Sequence, residues 1–103
     1  MLGHDGATSG TLANPAGPAV DLADSLTGVD ALIGDHTGFQ VVSQRPNGVL
    51  LTENASKGVR FTRLRLVLDE HRGEVVYKTA DFHKPWNIGI TPDADIQRRI
   101  DEL

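Results

Sequence analysis

Two histidines in matching settings are the residues of this chain best suited to chemistry. His4 is followed by Asp5-Gly6, and His36 sits between Gly34-Asp35 and Thr37-Gly38. Imidazole is a ligand for divalent Zn, Mn, Fe, Co or Ni. Two imidazoles do not complete a metal site, which needs at least one or two further ligands. Asp5 and Asp35 are close by in sequence. Each is open to three roles: ligand, partner that fixes an imidazole tautomer, or turn residue accepting an Asx hydrogen bond. Turn composition favours the third.

The elements around His4 and His36 decide whether they can meet. His36 follows Val29-Asp30-Ala31-Leu32-Ile33, an apolar run of strand length. Such a run suits a strand buried on both faces. Ligands of open α/β sheets bind beyond the C-terminal ends of their strands. Between the histidines, Ala19, Leu22, Ala23 and Leu26 follow i, i+3, i+4, i+7 spacing and predict a helix over 18–26. Pro18 suits its first turn and Gly28 its exit. If a strand also precedes His4, the segment from His4 to His36 is a βαβ crossover. Both imidazoles then emerge at the same edge of a parallel strand pair.

Other polar residues offer less. His71 lies in the turn Glu70-His71-Arg72-Gly73 and is expected to be exposed and inert. His83 precedes Lys84-Pro85-Trp86 and suits packing or surface better than catalysis. Trp86 is expected to dock onto structure outside the chain. Lys57 and Arg60 flank Gly58 and could face a phosphate, although a solvated pair is the commoner arrangement. No serine lies in a nucleophile elbow, and neither a P-loop nor a G-x-G-x-x-G is present.

Residues 1–17 have loop composition. After His36, the stretch 39–44 and the stretch 49–52 flank Arg45-Pro46-Asn47-Gly48, where Asn-Gly signals a hairpin. Residues 53–58 read as a loop. A long strand follows over 59–69, with Leu64, Leu66 and Leu68 on one face, and 74–82 returns as its antiparallel partner. A last helix starts at Thr91, with Thr91 as N-cap, Pro92 at the first position and Ile96, Ile100 and Leu103 as its apolar stripe. The expected fold is therefore α+β or α/β: a βαβ unit, an antiparallel β meander of about four strands, then a C-terminal helix. One helix cannot cover both faces of a buried strand, so partners outside the chain are expected.

Composition is that of a globular chain: 103 residues, 39% apolar, 23% charged. One small core is feasible at this length. There is no cysteine, which excludes disulfides, thiolate metal sites and a cysteine nucleophile. The net charge is −4, and the ten Lys and Arg are scattered, so a nucleic-acid surface is not expected. No apolar run reaches membrane-spanning length.

His4-Asp5-Gly6, followed some thirty residues later by Val29-Asp30-Ala31-Leu32-Ile33-Gly34-Asp35-His36-Thr37, resembles the second half of the catalytic domain of 5′-nucleotidases and related calcineurin-like metallophosphoesterases. The hairpin at Asn47-Gly48, the stretch Glu53-Asn54-Ala55-Ser56-Lys57-Gly58 and the long strand ending in Asp69 fit the same pattern. The resemblance covers almost the whole chain. It implies a partial metallophosphatase fold, with 1–90 as the C-terminal half of the catalytic domain and 91–103 as the start of a linker helix to a further domain. It implies that His4 and His36 are ligands in a centre of two divalent metal ions (Zn, Mn, Fe or similar). The substrate would be a nucleotide or another small phosphate ester, with no nucleic acid or membrane as partner. It implies a secreted or cell-envelope parent protein whose export signal lies outside these residues. The sequence departs from the family at Gly38, where a third ligand, His or Gln, is usual. The motifs D-x-H, G-D and G-N-H, which precede the first histidine in the family, are not among these residues, so the chain alone is expected to be inactive. Two other readings stay open: a non-catalytic β-rich interaction module derived from the same fold, a stable monomer or homodimer, and a small histidine site for a structural ion; self-association is open to the fragment as well.

Overall fold

The computed structural model describes residues 1–103 and shows a small α+β fold with two helices and mainly antiparallel strand pairing. Its strands are β1 (Ser9–Gly10), β2 (Pro15–Ala16), β3 (Ala31–Gly34), β4 (Val41–Gln44), β5 (Leu50–Glu53), β6 (Phe61–Asp69) and β7 (Glu74–His83). The helices are α1 (Pro18–Ser25), between β2 and β3, and α2 (Ala94–Asp101).

A three-stranded sheet in the order β3-β5-β4 forms the centre. β4 and β5 are the expected hairpin, paired antiparallel from Val41 opposite Glu53 to Gln44 opposite Leu50. The turn between them refines the Asn-Gly expectation. Gly48 takes φ +88, but Asn47 stays out of the left-handed region. Asn47 instead donates from Nδ2 to the carbonyls of Ala23 and Leu26, at 2.8 and 3.0 Å. Both carbonyls lie at the C-terminal end of α1, where Ala23 O has only the long 3.3 Å bond from Leu26 N of the cap. Arg45 adds an ion pair to Asp24 at 2.7 Å, so the hairpin turn and the helix end are fastened together.

The expected meander is corrected by the sheet order. β5 pairs parallel with β3, Ala31 opposite Leu50 through Gly34 opposite Glu53. β6 and β7 leave the sheet and pair only with each other, as a long ribbon with a register shift between Val67 and Leu68. The expected face of alternating leucines is buried only where the ribbon lies over the sheet: Leu64 packs beside Ala80 and is half-buried, while Leu66 and Leu68 are exposed.

Alternation along the strands makes two cores. Leu32 and Leu51, with Val41 and Val49, pack against Ala19, Val20 and Ala23 of α1. Complete burial of each of these leucines contributes about 1.5–3 kcal/mol. On the other face, Ala31 and Leu50 pack against Ala80 of β7, with Val42 and Leu64 alongside. The ribbon thus covers the face that α1 cannot. Cover is incomplete: Ile33 and Leu2 remain exposed on the same side.

The N-terminal residues are not a simple loop. Leu2 bridges Ile33 in parallel, with Gly3 N donating to Ile33 O at 2.9 Å and Ile33 N to Met1 O at 3.0 Å. The chain before His4 therefore lies beside β3 as a strand does, and β1 and β2 form a small hairpin further on. The last helix also starts later than expected. Its cap is Asp93, not Thr91, because the Asp93 carboxylate accepts from the N–H groups of Asp95 and Ile96. Ile96, Ile100 and Leu103 are all exposed, and α2 buries no residue. No helix is long and apolar enough to cross a membrane.

Candidate metal-binding site

His4 and His36 leave the C-terminal ends of two neighbouring parallel segments, joined through α1. Parallel pairing of Leu2 with Ile33 puts the two exits at the same edge. There the two rings stand 4.8 Å apart between centroids, edge to face at 65°. Both side chains are exposed. Ligand bonds of about 2.0–2.1 Å to one tetrahedral ion would put two ring centroids about 5 Å apart. The spacing observed suits two ligands of one ion.

Backbone geometry at His36 is unusual. Its φ is +80, and Thr37 N donates to Asp35 O at 3.1 Å, so His36 is the central residue of a tight three-residue turn. A β-carbon is strained there, and glycine is the residue that adopts this conformation freely. Strain of this kind persists where the surroundings hold it, and it concentrates at functional positions.

The surroundings are specific. Asp35 N donates to Asp5 O at 3.2 Å, which joins the two histidine loops main chain to main chain. The carboxylates of Asp5 and Asp35 belong to exposed residues. Gly34 and Gly6 allow the loops to cross closely. A β-carbon on Gly34 would lie 2.9 Å from Asp5 O, and one on Gly6 would lie 2.7 Å from Glu53 Oε1.

Glu53 is the residue that sequence reasoning missed. It ends β5 instead of opening a loop, and it is 1% exposed. Its Oε2 accepts from Ala7 N at 2.8 Å, and its Oε1 accepts from Thr37 N at 3.1 Å. The Thr37 hydroxyl lies 2.6 Å from Oε1 and also 2.6 Å from Ala7 O. A buried carboxylate needs such donors, since desolvation without them is costly. A glutamate two residues after the apolar run Val49–Leu51 was the available signal, but its partners are remote in sequence.

The remaining polar residues fall elsewhere. Gly38 takes φ +67 and lies against Ser56, so the loop 54–58 borders the histidine edge. Lys57 is exposed in that loop, whereas Arg60 turns its guanidinium to Val59 O at 2.8 Å. His71 is exposed in the ribbon turn. His83 stacks on Phe61 at 5.3 Å and bonds Asp81. Arg63 beside Asp81, and then His83, hold that carboxyl below its usual range. Trp86 is 69% exposed, with Lys84 Nζ 5.7 Å from its ring centre. Two clefts, of about 450 and 330 Å³, flank Gly28–Asp30 at the opposite end of β3 from His36.

The donor set is incomplete. No group of three or more His, Cys, Asp or Glu side chains is placed to hold a metal ion. The histidine pair offers two ligands, and Gly38 offers none. Comparison with family models, curated proteins and solved structures gives no match for this chain.

Proposed function

We propose that this chain is the histidine-bearing half of a metal-dependent phosphoesterase of the 5′-nucleotidase kind, with His4 and His36 as ligands of a divalent ion. The observation that carries this reading is the meeting of the two rings, 4.8 Å apart, at one edge of a parallel pair. The resemblance of both histidine motifs to that family adds to it. A bound divalent ion would supply Lewis-acid polarisation of a phosphoryl oxygen and a water of lowered pKa. The chain's own part is to present two imidazoles from the loops that follow two parallel segments. A tetrahedral ion needs further ligands, and these come from groups beyond the pair. Nucleotides or other small phosphate esters are the substrate class.

The test is calorimetric titration of the chain with Zn²⁺ and Mn²⁺, beside His4→Ala and His36→Ala. Weak binding that either substitution removes supports the reading. Binding unchanged in both variants sinks it. The enzymatic half is tested on a polypeptide that includes the in-frame flanking sequence: hydrolysis of AMP should require metal and both histidines.

One observation favours a second reading, a non-catalytic interaction module. Val67 and Tyr77 face each other across the ribbon and are both exposed, and contiguous apolar surface marks interaction sites. That reading expects self-association in sedimentation and no effect of metal.

A further inference from the structure

We propose that Glu53 is the positioning residue that sets the distance between the two imidazoles; this rests on the metal-site reading above. The carboxylate sits at the C-terminal end of β5, the strand beside β3, and therefore at the edge from which both histidine loops leave. One oxygen holds Ala7 N, three residues after His4. The other holds Thr37 N and lies against the Thr37 hydroxyl, one residue after His36. A single buried, rigid group thus grips both loops from the strand that carries neither histidine. The Thr37 hydroxyl closes the circuit by reaching Ala7 O.

Two features require this grip. His36 holds a left-handed conformation that a free loop would abandon. A β-carbon on Gly6 would lie 2.4 Å from Thr37 Oγ1, 2.5 Å from Asp35 O and 2.7 Å from Glu53 Oε1. The loop bearing His4 is therefore seated on the His36 loop and the carboxylate together. No other charged group is buried. A carboxylate in that place costs desolvation, which its two main-chain donors, Ala7 N and Thr37 N, offset. Partners that orient metal ligands commonly set affinity by about 10–100-fold.

The experiment compares the full chain with Glu53→Ala and Glu53→Gln. Two quantities are read: the nuclear Overhauser contact between the His4 and His36 rings without metal, and Zn²⁺ affinity by calorimetry. Contacts among Leu32, Leu51 and Val41 report whether the core is intact. Glu53→Ala should keep the core contacts, lose the ring contact and weaken Zn²⁺ binding about 10–100-fold. Glu53→Gln should be intermediate, because its amide oxygen serves one loop while its NH₂ cannot accept from the other. If Glu53→Ala loses the core as well, Glu53→Gln, which keeps the volume, decides alone. Ring contact and affinity unchanged with an intact core overturn the proposal. If the unsubstituted chain binds no Zn²⁺, the metal reading fails, and the ring contact still judges Glu53.

Discussion

Asn47→Ala tests whether the hairpin turn braces the crossover helix. Three hydrogen bonds disappear: Nδ2 to Ala23 O at 2.8 Å, Nδ2 to Leu26 O at 3.0 Å, and Val49 N to Oδ1 at 3.2 Å. A typical intramolecular bond contributes about 0.5–1.5 kcal/mol. Asn47 is exposed, so water replaces part of what is lost. The lower half of the range applies, and the expected cost is about 1.5–3 kcal/mol. Urea denaturation should show the midpoint falling with an unchanged slope. The melting temperature should fall by roughly 8–15 °C for a domain of this size. Asn47→Asp is the control. It keeps the acceptor for Val49 N, loses both donors to α1, and adds a negative charge at the negative end of the helix. It should be at least as unstable as the alanine variant. If Asn47→Asp matches the unsubstituted chain, the bonds to α1 contribute nothing and Asn47 serves only its own turn. The consequence reaches the histidines, because α1 is the link that sets one parallel segment beside the other.

Two further outcomes follow from the same geometry. His36→Gly removes a β-carbon from a left-handed position, so stability to urea should rise by about 1 kcal/mol while Zn²⁺ binding is lost. The Asp24–Arg45 pair predicts a pH dependence: hydrogen bonding to Arg45 holds the Asp24 carboxyl below its ordinary value of 3.8. Its contribution is therefore complete above that value and is lost as pH falls through the lower folded value. The Asp24 side chain is 40% exposed, so the pair contributes about 0.2–1 kcal/mol. In Asp24→Asn, the fall in unfolding free energy between pH 7 and pH 2, read from urea denaturation, should shrink by up to that amount.

Much of the local structure was legible. The 3.6 period of Ala19, Leu22, Ala23 and Leu26 located α1, and Pro18 opens it as expected. The apolar run ending at Ile33 located β3, and Asn47-Gly48 located the β4–β5 hairpin. These signals are carried by neighbouring residues. The errors arose where distant groups decide. A meander was expected because successive strands usually pair, yet β5 inserts parallel to β3 and the ribbon folds over the sheet. No partner outside the chain is needed where Ala80 covers Ala31 and Leu50. Thr91 and Asp93 are both good caps, and only the backbone path selects Asp93.

The division is sharpest at the candidate site. Sequence alone determined that two glycine-flanked histidines stand a helix and a strand apart, without a cysteine or a third clustered ligand. Tertiary structure decided that Leu2 pairs with Ile33, that the rings meet, and that His36 is held in a strained turn. It also decided the role of Glu53, whose donors are 46 and 16 residues away in the chain. Propensity and periodicity act over a few residues. Burying a carboxylate among donors from two separate loops depends on which strands become neighbours, and no local pattern encodes that choice.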